Sequence, residues 1–128
     1  MRVGAFRESR VTSEYPWVVP YDRDLEQRIR SELASEPALS ERRMFGGLAF
    51  LIGGNMAVAA SAQGIMVRVD PAQSDELLAT TTATRMEMGG RPMRGWLRLG
   101  AEAVREPDEL ARWMSHGTRY ARSLPAKR

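Results

Sequence analysis

The sequence predicts an α+β fold: an antiparallel sheet flanked by helices, in the order α-β-β-β-β-α-β-β-α. Three observations point there. One segment near each end repeats apolar residues at helical spacing, and a third segment, mid-chain, opens with a strong helix-start signal. The apolar runs between the first two helices are separated by Gly-Gly-Asn and Ala-Gln-Gly. Connections that short force neighbouring strands to run antiparallel. The chain has 128 residues, 43% hydrophobic and 27% charged, which suits one domain with its own core.

Residues 1–20 show neither helical nor strand period and contain Pro16 and Pro20, so a poorly ordered tail is expected there. The domain proper is expected over 21–125, with a short C-terminal tail at 126–128. The first helix is expected from Asp22 to Glu36, with Leu25, Ile29 and Leu33 as its apolar stripe and Pro37 as its stop. Asp24–Arg28 and Glu26–Arg30, acid before base at i,i+4, suit an exposed helical face.

A strand-rich block follows from Arg42 to Val69, a meander through Leu48–Ile52, Met56–Ala60 and Ile65–Val69. In its last strand Ile65, Val67 and Val69 share one face, while Met66 and Arg68 share the other. Asp70-Pro71 then starts a short helix ending near Ala79, because Asp caps well and Pro suits the first helical position. A threonine-rich linker, Thr80 to Thr84, leads to strands at Arg85–Met88 and Gly95–Leu99, with residues 89–94 as the loop between them. Pro107-Asp108-Glu109 opens the last helix, striped by Leu110, Trp113, Met114, Ala121 and Leu124. Gly117 inside it costs roughly 1 kcal/mol relative to Ala, which marks a place of close packing.

Composition removes several kinds of chemistry. With no cysteine there is no disulfide and no thiolate metal site, and His116 is the sole histidine. Neither phosphate-binding glycine loop occurs, and no serine sits in a nucleophile elbow. No catalytic residue, metal ligand or cofactor is therefore expected. No run approaches the roughly 18 apolar residues of a membrane helix. Lack of cysteine fits a reducing cytosol. Formal net charge is +3, and every basic residue except Lys127 is arginine. That permits at most weak, non-specific attraction to nucleic acid.

Three groups remain as candidates. The stretch Arg42-Arg43-Met44-Phe45-Gly46-Gly47 is either an anion-binding backbone nest or, the reading we favour, a tight corner between strands. Met86, Met88 and Met93 are either an adaptable recognition surface or, more simply, core filling. Arg112, His116 and Arg119 share one face of the last helix and are candidate phosphate contacts, against the plainer reading of a solvated face.

Several motifs occur together in order: the Tyr21-Asp22 helix start, Arg43-Met44-Phe45-Gly46-Gly47, Gly54-Asn55-Met56-Ala57, and Gly90-Arg91-Pro92-Met93-Arg94-Gly95-Trp96. Leu110-Ala111-Arg112-Trp113 through Leu124-Pro125 completes them. With these the chain resembles the N-terminal domain of the TfoX/Sxy competence-regulator family, over residues 21 to 125. The resemblance implies an antiparallel sheet flanked by helices, similar to secretion-chaperone-like domains, in a cytoplasmic bacterial protein. It implies a role beside another transcription factor in expression of DNA-uptake genes; the family's full-length regulators carry a second, C-terminal domain, and this chain is expected to be a stand-alone copy of the first. It supplies no catalytic residues. The family positions Phe45, Gly46, Gly47, Asn55, Arg91, Pro92, Gly95 and Trp96, with Arg43 and Met44 beside them, become candidate interaction or structural residues. The expected activity is a non-catalytic protein-interaction module with a protein partner still to be identified, a homodimer being one form of it. Direct nucleic-acid binding through the arginine faces and an enzyme with a small-molecule site near Phe45–Gly47 are the rivals.

Overall fold

The computed structural model describes residues 23–44 and 46–127. The expected tail over 1–20, and Asp22 at the helix start, lie outside the described residues. The elements are α1 (Arg23–Glu32), β1 (Leu39–Met44), β2 (Gly47–Ile52), β3 (Asn55–Ser61), β4 (Gly64–Arg68), α2 (Pro71–Thr80), β5 (Thr84–Met88), β6 (Arg91–Leu99) and α3 (Pro107–Ser123). A 3₁₀ turn, Ala101–Val104, joins β6 to α3. The six strands form one antiparallel sheet in the order β1-β2-β3-β4-β6-β5. This is the α+β architecture the sequence predicts, with the described helices confined to one face.

Local boundaries differ for physical reasons. Helix α1 stops four residues before Glu36. From there Ala34 N–H bonds Ser31 O and Glu36 N–H bonds Leu33 O, tight i→i+3 turns that unwind the helix ahead of Pro37. Glu26 does not belong to an exposed helical face, because it is 4% exposed and held by Arg43 of β1. Strand β1 begins at Leu39 rather than Arg42, because its backbone pairs along the whole of β2. Strand β6 begins at Arg91, so the expected six-residue loop shrinks to the turn at Gly89-Gly90, both at positive φ.

The main core lies between the sheet and the helices. Leu25 and Ile29 of α1, Trp113 and Leu110 of α3, and Phe50, Val67 and Leu97 of the sheet are among its fully buried members. The β2–β3 register shifts at Phe50/Leu51. That bulge turns two consecutive β3 residues, Ala57 and Val58, into the core. Gly117 of α3 sits directly over them: a Cβ there would lie 2.6 Å from Ala57 O and 2.9 Å from Val58 Cγ1. Helix α2 starts as expected, with Ala72 N–H donating to Asp70 Oδ1 at 2.9 Å and Pro71 in its first turn. No helix among the described residues is long and apolar enough to cross a membrane.

Candidate functional site

The corner at 43–47 is a hairpin. Met44 pairs with Gly47, and Gly46 between them takes φ +72°. Phe45 lies outside the described residues. A Cβ on Gly47 would lie 1.9 Å from Ala60 O, so β2 and β3 approach too closely there for any side chain. Arg43 Nη1 donates to Glu26 Oε2 at 2.7 Å, which ties β1 to α1. The corner thus spends Gly46 on the turn, Gly47 on close approach of two strands, and Arg43 on joining the sheet to α1.

Asn55 is 2% exposed and donates its amide to Pro125 O at 2.9 Å. Lys127 N–H donates to Gly53 O at 2.7 Å. Together these fasten the chain after α3 against the β2–β3 turn, so residues 126 and 127 lie along the domain. Arg91 and Pro92 are exposed at the start of β6, opposite Met88 and Glu87. Gly95 takes φ +83° and its carbonyl accepts from Val69 N–H at 2.7 Å. Trp96 is half-buried, and the Arg68 guanidinium lies 5.3 Å from its ring centre and 5.4 Å from that of Tyr120. Cation–π contact, more than core packing, is what Trp96 contributes.

On α3, the structure places Arg112 beside Glu109 at 3.1 Å, and Arg119 donates to Ser115 Oγ at 3.3 Å. His116 tilts against Trp113 with ring centres 5.4 Å apart. Burial, then Arg119 and Arg112, hold its imidazole below the ordinary value, so it is neutral at pH 7 and adds no cation to a phosphate site. His116 and Arg119 do share a small cavity of about 100 Å³ with Asp70, Gln73, Tyr120 and Ser123. Among the described residues no three His, Cys, Asp or Glu side chains cluster as a metal site would need.

A different surface emerges on the far side of the sheet. No described helix packs there. Ala49, Leu51 and Ala59 form a second apolar cluster, ringed by the half-buried Met44, Met56 and Met66. A cavity of about 310 Å³ opens beside it between Met66, Met86 and Arg98. The methionines described there are Met44, Met56 and Met66, with Met86 at the cavity; the side chain of Met88 lies outside the described residues. The signal was present in the strand period: Met66 alternates with Ile65 and Val67, and the register carries Met44 and Met56 to the same side.

The profile of the family described as TfoX N-terminal domain matches residues 31–121. No curated protein and no solved structure gives a match.

Proposed function

Since the chain belongs to the TfoX N-terminal domain family, we propose that it is a non-catalytic regulatory module that acts by contact with another protein, in transcriptional regulation in the cytoplasm. One observation carries this reading: a full face of a six-stranded sheet displays flexible apolar side chains and has no described helix on it. Flexible methionine side chains gathered half-buried on one sheet face suit contact with an irregular partner. The family motif residues support it from the other side. Gly47, Asn55 and Arg43 are used to hold strands, helices and chain end together.

The test is affinity capture from cells of the native host, with stoichiometry of any partner measured by sedimentation of the purified pair. Reconstitution of a defined heteromeric complex supports the module. Turnover of ATP or another substrate that His116→Ala or Arg43→Ala abolishes would replace it with an enzyme. Nanomolar binding to one DNA sequence at physiological salt would replace it with direct DNA recognition.

A further inference from the structure

The face of the sheet on which no described helix packs carries an unbroken row of directly opposed residues across all six strands: Arg42, Ala49, Ala59, Met66, Arg98 and Thr84. Opposed residues on neighbouring strands share a face. The row therefore has an arginine towards each end and small or flexible apolar side chains between. Four strand spacings separate Arg42 from Arg98, about 19 Å at ~4.8 Å per spacing. Ala49 and Ala59 keep the middle of the row low, and Met44, Met56 and Met66 pack round it.

Charge on this face is one-sided. On the helical side arginines meet carboxylates, as in Arg30–Glu41, Arg43–Glu26 and Arg85–Asp75. Arg98 instead donates to the amide oxygen of Gln63, a neutral acceptor. Arg42 is exposed and has no carboxylate within ion-pair distance among the described residues. Glu87, at the rim of the cavity beside Met86, is the single acid lining it among the described residues.

We infer that this face docks an acidic amphipathic segment of a partner protein, with carboxylates about 19 Å apart on either side of an apolar stretch. The inference rests on the protein-contact reading and names the partner's chemistry. Methionine side chains reshape to an irregular apolar partner at little cost. Arginine guanidinium forks take carboxylates in bidentate pairs. Other occupants fit less well. A second copy would set arginine against arginine. Residues 1–22 carry Arg2, Arg7 and Arg10 against Glu8, Glu14 and Asp22, so their charge offers no complement. A single-stranded nucleic acid wants stacking aromatics, and the apolar floor here is alanine and methionine.

The experiment uses the full chain with ¹³C-methyl methionine. It is titrated with a synthetic Glu/Leu amphipathic helix of about 16 residues, roughly 24 Å long, with its Lys/Leu twin, and with an oligothymidine. The Glu/Leu peptide is expected to shift the methyls of Met44, Met56 and Met66 and to leave Met114, in the core, unmoved. Changing Arg42→Glu and Arg98→Glu together should weaken binding about tenfold or more, with the Met114 methyl confirming the fold. Arg112→Glu on α3 should not. The inference is overturned if the Lys/Leu twin binds as tightly, or if the Glu/Leu peptide moves none of the three methyls at ~1 mM, an affinity of only about −4 kcal/mol. It is replaced by a nucleic-acid face if oligothymidine alone moves them, and by a homodimer if they move with protein concentration. An Overhauser contact from Trp17 to these methyls in the free chain would assign the face to the protein's own N-terminal segment. A captured natural partner whose binding survives the double Arg→Glu change sinks this inference and leaves the protein-contact reading standing.

Discussion

At the scale of single residues, two places show how little room the packing leaves. Gly117→Ala would gain roughly 1 kcal/mol of helix propensity. It would also push a methyl into Ala57 O at 2.6 Å, and backbone cannot step aside as a side chain can. The net expected effect is a loss of about 1–3 kcal/mol, read as a lower urea midpoint. Ser74 is the opposite case. Its hydroxyl is fully buried in α2 and finds no hydrogen-bond partner among the described residues. Removing an unsatisfied polar atom relieves a desolvation cost, so Ser74→Ala is expected to be neutral or stabilising by up to about 1 kcal/mol. The two tryptophans should separate cleanly. Trp113 is 2% exposed in the main core, and Trp113→Ala should cost about 3–5 kcal/mol. Trp96 is half-buried against Arg68, and its loss should cost no more than about 1–2 kcal/mol, the value of its cation–π contact and partial burial. Equal losses in thermal melts of the two variants would contradict this division.

At the scale of elements, arginine–carboxylate pairs fasten the α1 end of the helical layer. Arg30 grips Glu41 of β1 in a two-pronged pair, and Arg122 of α3 grips Glu36 in the turn after α1. Hydrogen bonds from these arginines hold both carboxyls below their ordinary value of 4.5. The folded state keeps them ionised where the unfolded chain takes up protons. Their contribution is complete above pH 4.5 and drains away as pH falls below it. Glu36→Gln should flatten part of that acid limb in melts run from pH 7 to 3. His116 acts in a higher window. Its depressed value means that the unfolded chain binds a proton first, so stability begins to fall below pH 6.5, and His116→Gln should remove that shoulder. Asn55→Ala, which orphans Pro125 O, should cost about 1–3 kcal/mol and release the end of the chain to exchange. The elements themselves were largely legible in the sequence, since apolar period and Gly, Asn and Pro punctuation fix type and order. The end of α1 was not, because the chain unwinds through i→i+3 turns at residues 31–36 ahead of Pro37, a change of hydrogen bonding that apolar period does not mark. Nor was the job of Asn55, whose partner stands 70 residues away. The methionine face was half legible: alternation placed Met66 opposite the core, but only the register brings Met44 and Met56 beside it.

At the scale of the whole molecule, charge sets the expected behaviour towards nucleic acid. Net charge is +3, and on α3 Arg112 is paired and His116 neutral. Binding to duplex DNA should be no tighter than the roughly 10⁻⁴–10⁻⁶ M of non-specific contacts, with a steep salt dependence in an anisotropy titration. The sheet order has a kinetic meaning as well. Strands β1 to β4 lie side by side in the order in which they occur along the chain, joined by turns of two residues. Such a meander closes small loops one after another, at little entropic cost before each new pairing repays it. Helix α3 comes last in the chain and seats on β3 from far away in sequence. The barrier to folding should then be crossed with the hairpins formed and α3 still loose. Gly117→Ala would leave the refolding rate nearly untouched and speed unfolding, a lopsided chevron in which the lost stability appears almost wholly on one arm.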